Sequence, residues 1–335
     1  RSRFCFLGII SDLYIYRNLN RLSLYLFTLI TAVIGVQVLA GHGSINPGDS
    51  VYMNISDKTI SSVFGGLLFG IGMTLCSGCT TSTLIKFGEG NIKSLIILTL
   101  SGIAAISTMR GSLGSVRIHL FEDNLLARKI NNFFEYNVSF GIDMEWLWPI
   151  LLLTFLVFLL LKHPKNLEIR KNAIWGLIIG ICIVGAWFVS GNIGFLAEHP
   201  DTLESKYILT NSGKPESFSF IGPLAYSLEF FLYQSDNSKF ISFGIIVLFG
   251  LLLGSYLSAR LQKRFKIEFF SSKSDIVYCM LGSTLMGFGG VTASGCTLGH
   301  GLSGLSIGSF DSIIVVGSIA IAAVLGIRYM ENKVV

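Results

Sequence analysis

Apolar residues run in long blocks along this chain, and polar residues gather between the blocks. A helix that crosses a bilayer needs roughly 20 mostly apolar residues. The blocks that meet this requirement are Leu22–Ala40, Ile60–Leu75 with a continuation to about Phe87, Ile92–Met109, Met144–Leu161, Ala173–Leu196, Phe240–Ala259, Ile276–Ala293 with a continuation to about Leu305, and Ile313–Ile327. A shorter block, Phe218–Tyr233, contains Pro223 and Glu229 and predicts an interfacial or re-entrant helix. Leu113–Tyr136 mixes apolar with charged positions (Arg117, Glu122, Asp123, Arg128, Lys129), as expected of an amphipathic helix on the membrane surface. Trp146 and Trp148 mark an interface.

One pattern occurs twice. Gly65–Thr80 (GGLLFGIGMTLCSGCT) and Gly282–Thr297 (GSTLMGFGGVTASGCT) match at a constant offset of 217 residues, through Gly70/Gly287, Gly72/Gly289 and the whole of Ser-Gly-Cys-Thr. The likeness slips by one residue, resumes at Gly90 against Gly308, and continues to Arg110 against Arg328. Each copy is a glycine-studded apolar segment that breaks at Ser-Gly-Cys-Thr and is followed by a second apolar segment. Internal repeats decide architecture, and paired Gly-interrupted apolar segments point to a transporter's binding site.

Composition agrees with a membrane location: of 335 residues 51% are hydrophobic and only 13% charged, with mean hydropathy +0.66. The net charge of +5 is no nucleic-acid signal, because Lys and Arg sit in short clusters between the apolar blocks. Residues 1–21, 162–171 and 260–275 carry those clusters and are expected on the cytoplasmic side, with the neutral-to-acidic loops 41–59 and 197–217 outside. Threading the spans through these constraints sends the first Ser-Gly-Cys-Thr segment inward and the second outward. The expected fold is therefore all-α: a polytopic integral membrane protein built as an inverted repeat, with broken or re-entrant helices carrying the motifs. It forms a single transmembrane domain over residues 1–335, with halves 1–143 and 172–335. The chain opens at Arg1 without a methionine, so further residues are expected upstream, and no cleavable signal peptide is visible.

The chemistry concentrates at Ser77, Gly78, Cys79 and Thr80 and at Ser294, Gly295, Cys296 and Thr297. Backbone that breaks within a bilayer must be buried in protein or line a cavity. A helix restarting after the break aims free N–H groups at the gap, which favours an anion, while cysteine adds a soft sulfur and a weak S–H donor. The bland alternative is that Gly and Cys only pack between helices. Cys76 and Cys79 also form a C-x-x-C, which suits a redox pair. However, Ala293 replaces Cys76 in the second copy, and no His or Cys cluster completes a metal site. Cys182 and Cys279 lie inside spans as small hydrophobes. Lys86, Glu89, Lys93 and His300 follow the breaks and either guide an ion or snorkel. Arg110 and Arg328 are expected as interface anchors, Glu229 is a functional candidate, and Asn192 is a candidate cap of another broken helix. There is no GxxxxGK[ST] motif for ATP.

These residues resemble the YeeE/YedE family of inner-membrane proteins that take up thiosulfate or related sulfur compounds. The resemblance rests on RFCF at Arg3–Phe6, SGCTTSTLIKFGEGNIKSL at Ser77–Leu95 and LMGFGGVTASGCTLGHGLSG at Leu285–Gly304. PESFSFIGPLAYSLEF at Pro215–Phe230 is similar to the longer YedE-type branch, which is also linked to selenium compounds. The resemblance implies that Cys5, Cys79 and Cys296 line the path and hand the anion along, with Cys76 a departure from the family pattern. It also implies a bacterial inner-membrane location, a cytoplasmic sulfur-carrier or sulfurtransferase partner, and neither cofactor nor metal. The alternatives weighed are a membrane thiol oxidoreductase using Cys76 and Cys79, and a channel for a selenium compound or another ion.

Overall fold

The computed structural model describes residues 5–53, 59–122, 154, 168–198, 205–236, 240–270 and 272–334. In chain order the helices are α1 (Phe6–Ser11, continuing as a π-helical turn to Tyr16), α2 (Asn20–Gly41), α3 (Thr59–Leu75), α4 (Thr80–Gly88), α5 (Ile92–Arg110), α6 (Ser112–Arg117), α7 (Ile169–Phe188), α8 (Ile221–Leu232), α9 (Phe243–Leu261), α10 (Lys273–Thr292) and α11 (Phe310–Val334). A π-helical turn at Gly299–Gly304 stands where α4 stands in the first copy. Among the described residues the one sheet is a two-stranded antiparallel ribbon, with Phe195 opposite Tyr207 and Leu196 opposite Lys206.

Among the described residues, six segments are long and apolar enough to cross a membrane: Asn20–Gly41, Thr59–Gly88, Ile92–Arg110, Arg170–Ile193, Phe243–Leu261 and Phe310–Asn332. This is an all-α, multi-pass membrane protein. α10 has the length but is rich in Gly, Ser and Thr, and it packs against α3, α5 and α8. Lipid contact falls instead to faces such as Ile174, Leu177 and Ile181 of α7, and Ile246, Leu253 and Leu257 of α9, all exposed. The expected span Met144–Leu161, except Thr154, and the tryptophans at 146 and 148 lie outside the described residues. Of the expected surface helix 113–136, the described part is α6 and a π-helical turn to Glu122, where Phe121 meets Phe64 of α3 with ring centroids 5.5 Å apart.

The centre of the molecule is the crossing of α3 and α10, and it is reciprocal. A Cβ on Gly65 would lie 2.8 Å from the Gly289 carbonyl oxygen, and one on Gly289 would lie 2.6 Å from that of Gly65. At the other end of the crossing, Gly72 meets the Gly282 carbonyl at 2.5 Å and Gly282 meets that of Gly72 at 2.8 Å. Gly65 corresponds to Gly282 and Gly72 to Gly289, so the two helices run antiparallel about a local two-fold axis. The next layer repeats the relation. Gly70 lies against Ile319, Ala322 and Ala323 of α11, while its counterpart Gly287 lies against Ser101, Ala104 and Ala105 of α5. Without hydrophobic expulsion between helices in lipid, close backbone approach supplies the packing energy, and small residues permit it.

The loops sort onto two faces. On one, the Asn192 side-chain amide donates to the Ser44 carbonyl at 3.2 Å and the Tyr207 hydroxyl donates to Asp49 at 2.9 Å. On the other, the Glu168 N–H donates to Asn20, and Lys266 and Glu268 exchange backbone hydrogen bonds with Glu89 and Ile92. The first face bears the loops expected outside and the second the cationic clusters, and the two are named outer and inner after that expectation. α8 starts deep, at the second motif, and runs back to the outer face. There Glu229, with its side chain 6% exposed, pairs with Arg110 of α5 at 2.7 Å. Glu229 and Arg110 thus tie α8 to α5, and Arg328 donates to the Tyr14 hydroxyl at 2.7 Å, tying α11 to the end of α1.

Gly72→Ala and Gly289→Ala should each destabilise the protein by about 1–3 kcal/mol through overpacking against backbone. Gly317→Ala, where an added Cβ meets nothing within 4 Å, should be silent or slightly stabilising. Thermal unfolding followed by size-exclusion chromatography in detergent measures this. Equal melting temperatures for all three variants would show that the crossing is not tightly packed.

Candidate functional site

Both motifs are helix ends of one design. After α3, the Gly78 N–H bonds to the Met73 carbonyl and the Ser77 N–H to that of Thr74; after α10, Gly295 bonds to Gly290 and Ser294 to Val291. This is the Schellman pattern, in which the residue after the cap is left-handed and usually glycine. Here it is serine in both copies, with φ of 55° at Ser77 and 61° at Ser294. Placing a side chain in that region costs on the order of 1 kcal/mol, so each motif keeps a serine at a strained position where glycine would relax it.

Side chains from elsewhere satisfy the broken backbone. The Lys86 ammonium donates to the Ser77 carbonyl at 2.8 Å. His300 Nε2 lies 2.7 Å from the Ala293 carbonyl, while its Nδ1 lies 3.0 Å from Ser312 Oγ. The Tyr25 hydroxyl donates to the Gly301 carbonyl, Ser61 to that of Thr292 and Ser303 to that of Phe218. Lys86 and His300 are therefore parts of the frame. Asn192 likewise bonds to the Ser44 carbonyl from within a π-helical turn, Val189–Ile193, that closes α7.

Cys79 caps α4: its carbonyl accepts from the Thr83 N–H and from the Ser82 and Thr83 hydroxyls, at 3.0 and 2.9 Å for the latter two. Its thiol lies near Cys5, Ser82 and, from the other copy, Thr297. Next in that strip is Cys296, which accepts from the Gly299 N–H at 3.5 Å and faces Ser219 Oγ at 4.0 Å. Thr80 and Thr81, at the N-terminus of α4, are buried, and their hydroxyls have no hydrogen-bond partner among the described residues. Cys76 points away from this strip, its thiol donating to the Cys279 carbonyl at 3.6 Å. Cys279 is buried and Cys182 exposed.

Open cavities approach the motifs from opposite faces. The outer one, about 350 Å³, is lined by Tyr52, Arg110, Arg117, Glu216, Ser219 and Ser294. Burial raises the Glu216 carboxyl to about 7, against a hydrogen bond from Ser212 that lowers it. On the inner side, cavities reach Cys5 and Ser77 past Arg21, Lys86, Lys93 and Arg264. Tyr52, Glu216 and Ser219 were not singled out in the sequence, since nothing local distinguishes them from ordinary loop residues. The structure brings Cys5, Cys79, Thr297 and Cys296 together, with Ser77 and Ser294 at the two mouths, and leaves Cys76 aside. Among the described residues there is no group of three or more His, Cys, Asp or Glu placed to hold a metal ion.

Comparison with known proteins agrees with this architecture. The chain is 27% identical over 314 residues to the thiosulfate transporter TsuA of Escherichia coli (strain K12), covering 90% of this chain and 82% of that protein. It is 23% identical over 312 residues to the thiosulfate transporter TsuA of Spirochaeta thermophila, covering 91% of this chain and 86% of that protein. A family model described as sulphur transport matches residues 1–325. With nearly its whole length matched, this multi-pass membrane protein belongs to the sulphur transport family.

Proposed function

We propose that the protein imports thiosulfate, or a related small sulfur-containing anion, along a path lined by Cys5, Cys79 and Cys296. The observation that carries this reading is the strip of thiols and hydroxyls running from Cys5 through Cys79 and Thr297 to Cys296 between two oppositely facing cavities. Ser77, Gly78 and Thr80 and Ser294, Gly295 and Thr297 form its walls, where free N–H groups and hydroxyls suit the anion's hard oxygens. The thiols suit its soft sulfur, to which a neutral S–H can donate. Arginines at the outer cavity and lysines at the inner ones favour a negatively charged solute on both sides. The two relatives named as thiosulfate transporters support the choice of anion. Cys76 binds at most indirectly, through the inner cavity it borders. The two halves, 1–143 and 172–335, act as one transmembrane domain in a bacterial inner membrane, and the imported sulfur passes to a cytoplasmic carrier or sulfurtransferase.

The redox reading loses its pair, because the Cys76 thiol turns to the Cys279 carbonyl and away from Cys79. Thiol oxidoreductase activity would persist in detergent with a quinone or thiol partner, whereas uptake requires a sealed vesicle.

In proteoliposomes, Cys79→Ala and Cys296→Ala should lose most thiosulfate uptake. Removing a hydrogen bond to a charged partner costs roughly 1.5–3 kcal/mol, or about 10- to 100-fold in affinity. Cys182→Ala should be silent. Equal losses in all three variants would assign the thiols to packing rather than to the substrate.

Glu216 sets a pH dependence. Below about pH 7 its carboxyl is neutral; above, it puts a negative charge in the mouth that also holds Arg110, Arg117, Tyr52 and Tyr226. Uptake should fall several-fold between about pH 6 and pH 8, because a like charge repels the anion, and Glu216→Gln should flatten that fall. An unchanged profile in the variant would remove Glu216 from the mouth's electrostatics.

A further inference from the structure

The repeat extends further than the Ser-Gly-Cys-Thr segments. α1 begins deep at Cys5 beside Cys79 and ends against α11 at Arg328; α8 begins deep at Ser219 beside Cys296 and ends against α5 at Arg110. Arg328 and Arg110 are themselves counterparts. The sequences concur at an offset of 214: Phe4-Cys5-Phe6-Leu7-Gly8 against Phe218-Ser219-Phe220-Ile221-Gly222. The cavities agree residue by residue. Cys5, Leu7, Gly8, Thr74, Ser77 and Ile327 line an inner cavity, and their counterparts Ser219, Ile221, Gly222, Val291, Ser294 and Met109 all line the outer one. Ser219 is thus to Cys296 what Cys5 is to Cys79.

We propose that Ser219 is a fourth binding position on the path: the outer-mouth counterpart of Cys5, carrying a hydroxyl where the inner mouth carries a thiol. The Ser219 hydroxyl stands 4.0 Å from Cys296 Sγ, and it and the Tyr52 hydroxyl both border Gly299. Tyr52 is itself 2% exposed and held edge-on between Trp187 and His300. A substrate arriving from outside presents hydrated oxygens, and these two neighbouring hydroxyls replace that water with hard donors. The soft sulfur then meets the Cys296 thiol next to them. At the inner mouth the last group met is the thiol of Cys5. The difference between the two mouths therefore lies in which end of the anion each one grips. This rests on the proposed transport of a sulfur-containing anion and adds the residue that receives it.

Ser219→Ala should raise the KM for thiosulfate uptake into proteoliposomes by about 10-fold, the loss expected when a donor to a charged group is removed, with kcat within about two-fold. Ser219→Cys keeps the size but trades a hard donor for a soft, weak one, so it should raise the KM by a smaller factor than Ser219→Ala while shifting preference from sulfate toward thiosulfate as competitor. Because the outer cavity is open, a membrane-impermeant maleimide applied outside should label the thiol introduced in Ser219→Cys. Peptide mapping against the native thiols reads the site, and thiosulfate should slow the reaction. Unchanged KM in Ser219→Ala, with the protein folded and monodisperse, overturns the proposal. So does labelling of Ser219→Cys that none of thiosulfate, sulfite or sulfate slows. Wild-type vesicles that accumulate no thiosulfate would instead overturn the transport reading. The labelling arm then still decides on Ser219, since slowing by sulfite or sulfate shows an anion at that position and its absence rejects one.

Discussion

Everything in this structure depends on a backbone that stops being helical in the middle of a membrane protein. Two chain breaks leave carbonyls and N–H groups where lipid offers no partner, and each unsatisfied group costs several kcal/mol. Enclosing both breaks in protein is the response. Lys86, His300, Tyr25, Ser61 and Ser303 each reach from another turn or helix to a carbonyl in or beside a break. α3 and α10 cross at glycines so that the breaks end up adjacent. Once carbonyls are satisfied in this way, what is left over is polarity of one kind: the N–H groups of α4's first turn, the Thr80 and Thr81 hydroxyls and the cysteine thiols, all donors suited to an anion.

The local two-fold axis explains how one site serves two faces. A single break approached from one side would be a pocket. Two breaks related by reversal, each with its own short helix entering from its own face, give the site two ends of the same construction. Reversal also shares the structural cost, since each glycine that admits a carbonyl from the other copy is answered by its counterpart admitting one in return. The strained serines at 77 and 294 belong to this scheme. Glycine there would ease the turn, but it would remove a hydroxyl from the wall of each cavity.

Departures from symmetry are as informative as the symmetry. Cys76 has Ala293 as its counterpart and turns toward α10, where its thiol meets the Cys279 carbonyl. α7 lies against α2 and adds a helix to the second half. Lys86 and His300 do the same work for their breaks with different chemistry, one from an exposed ammonium and the other from a buried imidazole.

Much of this was legible in the sequence, because lipid imposes a constraint that composition records directly. The six described spans, the repeat and its reversal follow from apolar block length and a fixed offset, and the placement of Lys and Arg gives the two faces their expected sides. Cys79 and Cys296 stood out because they sit at a duplicated break. Cys5 did not stand out on local grounds, and Ser219 was missed entirely. A thiol and a hydroxyl share no sequence pattern, and their equivalence appears only when α1 and α8 are seen entering the same two-fold arrangement from opposite faces. Glu229 reads as a lone acid in an apolar block until α8 is laid on α5 and Arg110 meets it. Cys76 reads as half of a redox pair until the turn after Leu75 directs it away from Cys79. Chain-local patterns determine which segments enter the membrane and where they break, because solvation acts on each segment separately. Which side chains then meet was decided by tertiary packing, because partners drawn from helices far apart in the sequence have no local term that could announce them.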